Sequence, residues 1–145
     1  MADLPRKIRL EIISPDRIVV SEDVDMVSAP GALGEFGVLP GHTPMLTNLS
    51  VGRLAYRNDG ETQEIALAWG YAEVGPEKVT ILAEAAEKVD EIDIERAESA
   101  RKRAIDRLAQ GEKDVDSERA KGALDRATLR LRIAGKEKPL PFNCR

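Results

Sequence analysis

At 145 residues the chain is sized for one ordinary domain, or for a medium domain with a small appendage. Apolar residues make up 42%, charged residues 33% and aromatics only 3%, so the core falls to Val, Ile, Leu and Ala. A single cysteine, Cys144, excludes an internal disulfide and a single histidine, His42, excludes a two-histidine metal site. No apolar run reaches the ~18 residues of a membrane-spanning helix, and Met1 to Lys7 lacks the apolar segment of a secretory signal. The expectation is a cytoplasmic protein that meets a membrane only through a partner.

In chain order, Lys7 to Ser14 alternates, with Ile8, Leu10 and Ile12 on one face and Arg9 and Glu11 on the other. Ser14-Pro15-Asp16 ends it. Further strands are predicted over Arg17–Val20, Asp23–Ala29, Phe36–Leu39, Met45–Leu49, Gly52–Arg57, Glu64–Ala68, Tyr71–Val74 and Lys78–Ala83. Asn58-Asp59-Gly60 is a tight-turn signal, because all three residues tolerate positive φ; Gly75-Pro76 marks another turn. Short strands at this spacing predict an antiparallel sandwich or flattened barrel over residues 1–88.

From Asp90 the period switches from strand to helix. Asp90 or Asp93 caps a helix whose apolar stripe runs Ile94, Ala97, Ala104, Ile105, Leu108, and Gln110-Gly111 stops it. Asp116 or Ser117 caps a second helix with Ala120, Ala123, Leu124, Ala127, Leu131 and Ala134 on one side, closed by Gly135. The short connection predicts an antiparallel helical hairpin over residues 89–138, followed by a tail at 139–145. The fold class is thus α+β. Ala is an excellent helix former but buries little area, so the helices are expected to outlast their contacts. A movable arm and a permanently docked hairpin both fit that profile.

The net charge of −4 conceals an asymmetry. Residues 1–89 hold 8 basic against 14 acidic side chains; residues 90–145 hold 14 against 12. From Arg119 to Lys138 there are seven basic residues and two acidic ones. Such a stripe suits nucleic acid, nucleotide or an acidic protein surface, or is simply a solvated face.

The densest motif is Gly31-Ala32-Leu33-Gly34-Glu35-Phe36-Gly37-Val38-Leu39-Pro40-Gly41-His42-Thr43-Pro44. It lacks the Gly-Lys-Ser/Thr ending of a P-loop, and the spacing and following helix of a dinucleotide fingerprint. Its glycines and prolines read as turn geometry, with His42 as a turn residue. Together with Leu46-Thr47-Asn48-Leu49, Gly52, Trp69-Gly70-Tyr71-Ala72-Glu73-Val74 and Ser14-Pro15-Asp16-Arg17, however, this segment closely resembles the ε subunit of bacterial F-type ATP synthases. The likeness runs from about Ile8 to Ile133 and takes in both halves in order.

The resemblance implies a rotor subunit of the central stalk that is not itself an enzyme and needs no metal or cofactor. Its sandwich would bind the γ subunit and the c-ring, so that ion-driven rotation reaches the catalytic β subunits. Glu35, Phe36, His42 and Thr43 are the candidate contacts there. Its hairpin would extend along γ into the α/β head and obstruct ATP hydrolysis, with Arg119, Lys121, Arg126, Arg130 and Arg132 facing an acidic β-subunit segment. The subunit would sit peripherally on the cytoplasmic face of the bacterial plasma membrane, held through the complex.

Ile92-Asp93-Ile94-Glu95-Arg96-Ala97 further matches the pattern by which some bacterial members bind ATP on a folded hairpin. The implied set is Glu87, Ile92, Asp93, Arg96, Ala97, Arg103, Arg126 and Arg130, with ATP as a regulatory ligand. Asp93 is equally a helix cap, and arginines abound here. Against this stands a second class, a basic hairpin module for nucleic acid, opposed by the acidic first half and scarce aromatics. A small enzyme is a third class, for which no catalytic constellation is present.

Overall fold

The computed structural model describes residues 6–110 and 116–135, which form two compact units divided between Lys88 and Val89. The first contains eight strands: β1 (Ile8–Ile13), β2 (Ile18–Val24), β3 (Met26–Gly31), β4 (Gly34–Val38), β5 (Met45–Leu49), β6 (Gly52–Asn58), β7 (Glu61–Val74) and β8 (Lys78–Lys88). The second contains a 3-10 turn at Val89–Glu91 and helices α1 (Ile94–Gln110) and α2 (Ser117–Ile133).

The sheet runs β2-β1-β8-β7-β5-β3-β4, with β6 pairing both β7 and β3. Strands β5 and β6 lie end to end: residues 70–74 of β7 pair with β5, and residues 61–67 with β6. Every ladder is antiparallel except β1 against β8, which is parallel. The sheet rolls over until β2 approaches β6. There Tyr56 is buried and hydrogen-bonds Glu22; burial first, then the Glu22 carboxylate, pushes the phenol up to about 12.

Alternation explains the core. Ile8, Leu10 and Ile12 of β1, Leu54 of β6, Ile65 and Leu67 of β7, and Val79 and Ile81 of β8 point inward and lose essentially all solvent contact. At Asn58-Asp59-Gly60 the turn forms as expected, with Asp59 at φ 51° and Gly60 at φ 85°, the pair of positive values that a two-residue hairpin loop demands. Lys7 braces this turn: its ammonium hydrogen-bonds Asn58 and Asp59 (2.9 Å to Asp59) and lies 3.5 Å from Asp25.

Three departures from the expected strands are the largest. β2 runs on to Val24, and the break falls at Asp25, whose backbone N–H donates to Arg57 and whose carboxylate accepts from Asp59 N–H. The predicted strands Glu64–Ala68 and Tyr71–Val74 are one strand, β7, continuous through a kink at Trp69 and Gly70. β8 continues to Lys88, five residues past Ala83, because the whole of β7 is there to pair with it.

In the second unit, Asp93 rather than Asp90 caps α1, accepting from Arg96 N–H at 3.1 Å; Asp116 caps α2, accepting from Arg119 N–H at 3.1 Å. Gly135, at φ 76°, follows the end of α2 in the left-handed conformation that ends helices. The two helices pack on each other as a hairpin through Ala97 and Ala104 of α1 and Ala120, Ala127 and Leu131 of α2. Ile105 departs from the expected stripe: it is 45% exposed. At about 100° per residue it lies roughly 80° round the helix from Ala97, at the edge of the seam. The predicted stop at Gly111, the hairpin connection and the tail with Cys144 lie outside the described residues.

Candidate docking and regulatory surfaces

The Gly/Pro-rich segment forms β4 and the loop that leads into β5. Glu35 is exposed on β4, and its carboxylate accepts a hydrogen bond from the Ser28 hydroxyl across the β3–β4 pair. Phe36 is half-buried and packs against the sandwich core, so its ring supports the hairpin from within. In the loop, Gly41 N–H donates to Pro76 at 2.8 Å and His42 N–H donates to Leu39 at 3.1 Å, tying this turn to the one at Gly75-Pro76. His42 Nδ1 lies 2.6 Å from the Thr43 carbonyl oxygen, and Thr43 is exposed. Of the four candidate contacts, Glu35, His42 and Thr43 therefore offer surface.

The eight candidate nucleotide residues divide between the units. Glu87 lies on β8; the other seven lie in the hairpin unit. Ile92 and Ala97 are buried, which gives them packing roles. Asp93 is exposed with Oδ1 engaged as the α1 cap. Arg96 and Arg103, seven residues apart, are both exposed on one side of α1. On α2, Arg126 and Arg130 are one turn apart and half-buried. In a hairpin the start of α1 lies beside the end of α2, so Asp93 and Arg96 face the same end as Arg130.

The basic stripe resolves into two. At about 100° per residue, Arg119, Arg126 and Arg130 share one face of α2, on one side of the buried Ala120–Ala127–Leu131 seam. Lys121 and Arg132 fall on the other side, next to Glu118 and Asp125, and all four are exposed. A mixed outer face of this kind is a poor track for a polyphosphate backbone. The three-arginine face suits a compact anion or an acidic segment.

One surface was not anticipated from sequence. On the outer face of the sandwich, Tyr71 (57% exposed) pairs in register with Leu82 (50%) on β8 and with Asn48 on β5, and Leu46 (73%) sits two residues along β5. The available signal was parity. Ala72 and Val74, and Val79 and Ile81, fix the inward set, so Tyr71 and Leu82 are large apolar residues at solvent-facing positions. No described helix is long and apolar enough to cross a membrane.

Two family models match end to end: the β-sandwich domain of the ATP synthase delta/epsilon chain over residues 7–89, and its long alpha-helix domain over residues 90–135. The chain belongs to the delta/epsilon chain family of ATP synthases. It is 49% identical over 134 residues to the ATP synthase epsilon chain of Geotalea uraniireducens, covering 92% of this chain and 97% of that one. It is likewise 49% identical over 132 residues to the epsilon chain of Nitratidesulfovibrio vulgaris, covering 91% and 98%. A chain in the cryo-EM structure of the Euglena gracilis mitochondrial ATP synthase, OSCP/F1/c-ring, matches with TM-score 0.68 at 25% identity, over 93% of this chain and 81% of that one. A chain of the Tetrahymena thermophila mitochondrial ATP synthase central stalk and c-ring shares the fold, with TM-score 0.57 at 15% identity, over 91% and 99%. The sandwich-plus-hairpin plan is thus the delta/epsilon plan, and a non-catalytic subunit is what the family membership gives.

Proposed function

We propose that this delta/epsilon chain is a rotor subunit of the central stalk, in which the sandwich docks and the hairpin regulates. The observation that carries it is the division of the chain at Lys88–Val89 into a unit with a large aliphatic core and a unit held by alanines. The sandwich contributes rigid surface to γ and the c-ring, through the Glu35, His42 and Thr43 region, and coupling follows from stiffness rather than from chemistry. The hairpin, extending into the α/β head, opposes hydrolysis through the face that carries Arg119, Arg126 and Arg130, meeting an acidic β-subunit segment. ATP bound by Asp93, Arg96, Arg103, Arg126 and Arg130 favours the folded hairpin, because a ligand stabilises the state it binds. The subunit acts at the cytoplasmic side of a bacterial plasma membrane, held there by its partners.

Reconstitution tests this reading. Full-length chain and chain ending at Lys88 are added to F1-ATPase stripped of this subunit, and binding and ATP hydrolysis are followed. Both forms are expected to bind and only the full-length form to inhibit. Absence of binding by either form contradicts the assignment. Equal rates with both forms remove the regulatory role and leave the coupling role.

A further inference from the structure

The Asn58-Asp59-Gly60 turn carries a chemistry that the docking and regulatory roles leave unused. Asp59 is the one aspartate of the chain followed by glycine, and no asparagine is followed by glycine. In an Asp-Gly pair the backbone nitrogen can attack the side-chain carboxyl carbon of the preceding residue, because glycine puts no Cβ in the way. The Asp59 side chain is 81% exposed, and Gly60 is exposed as well. Water therefore reaches both the reacting carboxyl and any ring formed there.

Two anchors oppose that attack. Asp59 N–H donates to Asp25 Oδ2 at 2.8 Å, and the Lys7 ammonium donates to Asp59 Oδ1 at 2.9 Å. Lys7 also donates to Asn58 Oδ1 and lies 3.5 Å from Asp25 Oδ1, so one ammonium ties the turn to the chain just ahead of β1. The Asp59 hydrogen bond, with the Asp25 charge adding to it, raises the Lys7 pKa above its ordinary value. Asn58 faces Glu61 in register across the turn, which fixes the backbone on both sides of the pair. Ring closure must carry Cγ of Asp59 onto the Gly60 nitrogen and expel one carboxyl oxygen. An ammonium held on Oδ1 and an anchored Asp59 N–H both resist that movement.

We propose that Asp59–Gly60 is an isoaspartate-forming modification site and that Lys7 restrains it. In the first step the Gly60 nitrogen bonds to Asp59 Cγ of the protonated acid. The Cγ–OH bond breaks, and the hydroxyl leaves with the amide proton as water. Water then opens the succinimide. Attack at the Asp59 backbone carbonyl breaks its bond to the Gly60 nitrogen, which takes up a proton. Gly60 is left joined through the side-chain carbonyl, with a free carboxylate on Cα and no net change of composition. The product has one more methylene in the main chain. A two-residue hairpin loop has no room for it, so the Asn58–Glu61 pairing and the Lys7 contact are lost together. The displaced carboxylate is the kind of group that an S-adenosylmethionine-dependent isoaspartyl methyltransferase accepts. An exposed ion pair adds little to stability, so Lys7 acts on the chemistry of the turn rather than on the fold.

The test incubates the full-length chain and its Lys7→Ala, Lys7→Ala/Asp25→Ala and Asp59→Glu variants at neutral pH in water enriched in heavy oxygen. Peptide mapping and isoaspartyl methylation locate and count the product, and the chain unfolded in urea gives the unrestrained rate. Isoaspartate is expected at position 59 ahead of every other aspartate, and more slowly in the native chain than in urea. Lys7→Ala is expected to speed it about two- to fivefold, the shift that an exposed ion pair supports. The double variant is expected to be faster still, and Asp59→Glu to remove the product. Equal rates in the native chain and Lys7→Ala overturn the proposal, as does isoaspartate spread evenly over other aspartates. A slower Lys7→Ala also overturns it, by making the ammonium a proton donor to the leaving oxygen. Hydrogen exchange separates the remaining case: acceleration that comes with lost protection throughout β6, β7 and β8 assigns the effect to unfolding and overturns the role of Lys7.

Discussion

The sandwich and the hairpin are both built on apolar contact, but of different depth. In the sandwich, Ile8, Leu10, Ile12, Leu54, Ile65, Leu67 and Ile81 are wholly buried in one continuous core. In the hairpin the buried set is mostly alanine, with Leu131 as its one larger member among the described helix residues. Burial is worth about 25 cal/mol per Å² of apolar surface, so the alanine seam contributes far less per contact than the aliphatic core. Helix propensity and the Asp93 and Asp116 caps hold each helix as a helix; the apolar seam adds little to hold one helix to the other. One region is therefore suited to transmit force, and the other to change its contacts.

The largest expected break in this comparison is Leu67→Ala on β7. It removes a wholly buried side chain, and a cost of about 2–5 kcal/mol is expected in urea denaturation followed on the sandwich. The hairpin alanines offer no equivalent loss. Enlarging the seam sharpens the contrast from the other side. Ala127→Leu inserts bulk at a fully buried position and is expected to cost about 1–3 kcal/mol, read as loss of protection in α1 and α2 with the sandwich unaffected.

Smaller effects separate the units by mechanism. Asp93→Ala or Asp116→Ala removes a cap and is expected to cost about 1 kcal/mol of helix stability, visible as fraying of the first turn in hydrogen exchange. Tyr56 provides a pH probe confined to the sandwich. Its folded-state pKa is about 12 against an ordinary value of 10.0, so the folded form holds its proton more tightly than the unfolded chain does. The stabilisation is fully present below pH ~10 and is lost as pH rises from ~10 through ~12. Tyr56→Phe is expected to flatten that part of the stability profile, at a cost of about 1 kcal/mol at neutral pH from the lost hydrogen bond.

Much of this organisation was legible in the sequence, for reasons that differ along the chain. Alternation at Ile8, Leu10 and Ile12 and the Asn58-Asp59-Gly60 turn encode local geometry that tertiary contacts do not override. The switch to helical period after Asp90 is equally local. The unity of β7 was hidden because Trp69-Gly70 looks like a break; only pairing on both sides carries the strand through it. The boundary at Asp25 depends on Asp59 and Arg57, more than thirty residues away. In the candidate sites, spacing put Arg126 and Arg130 on one face, but the separation of Lys121 and Arg132 from them follows only once the buried seam is located. The parallel β1–β8 ladder had no local signature at all.

Native-state hydrogen exchange on the full-length chain, resolved by residue across increasing denaturant, separates a rigid sandwich from a weakly held hairpin. Two classes are expected: amides of β7 and β8 that exchange only on global unfolding, and amides of α1 and α2 that open at distinctly lower free energy while the sandwich stays closed. A single class, with helices and strands opening together at the same free energy, would contradict it.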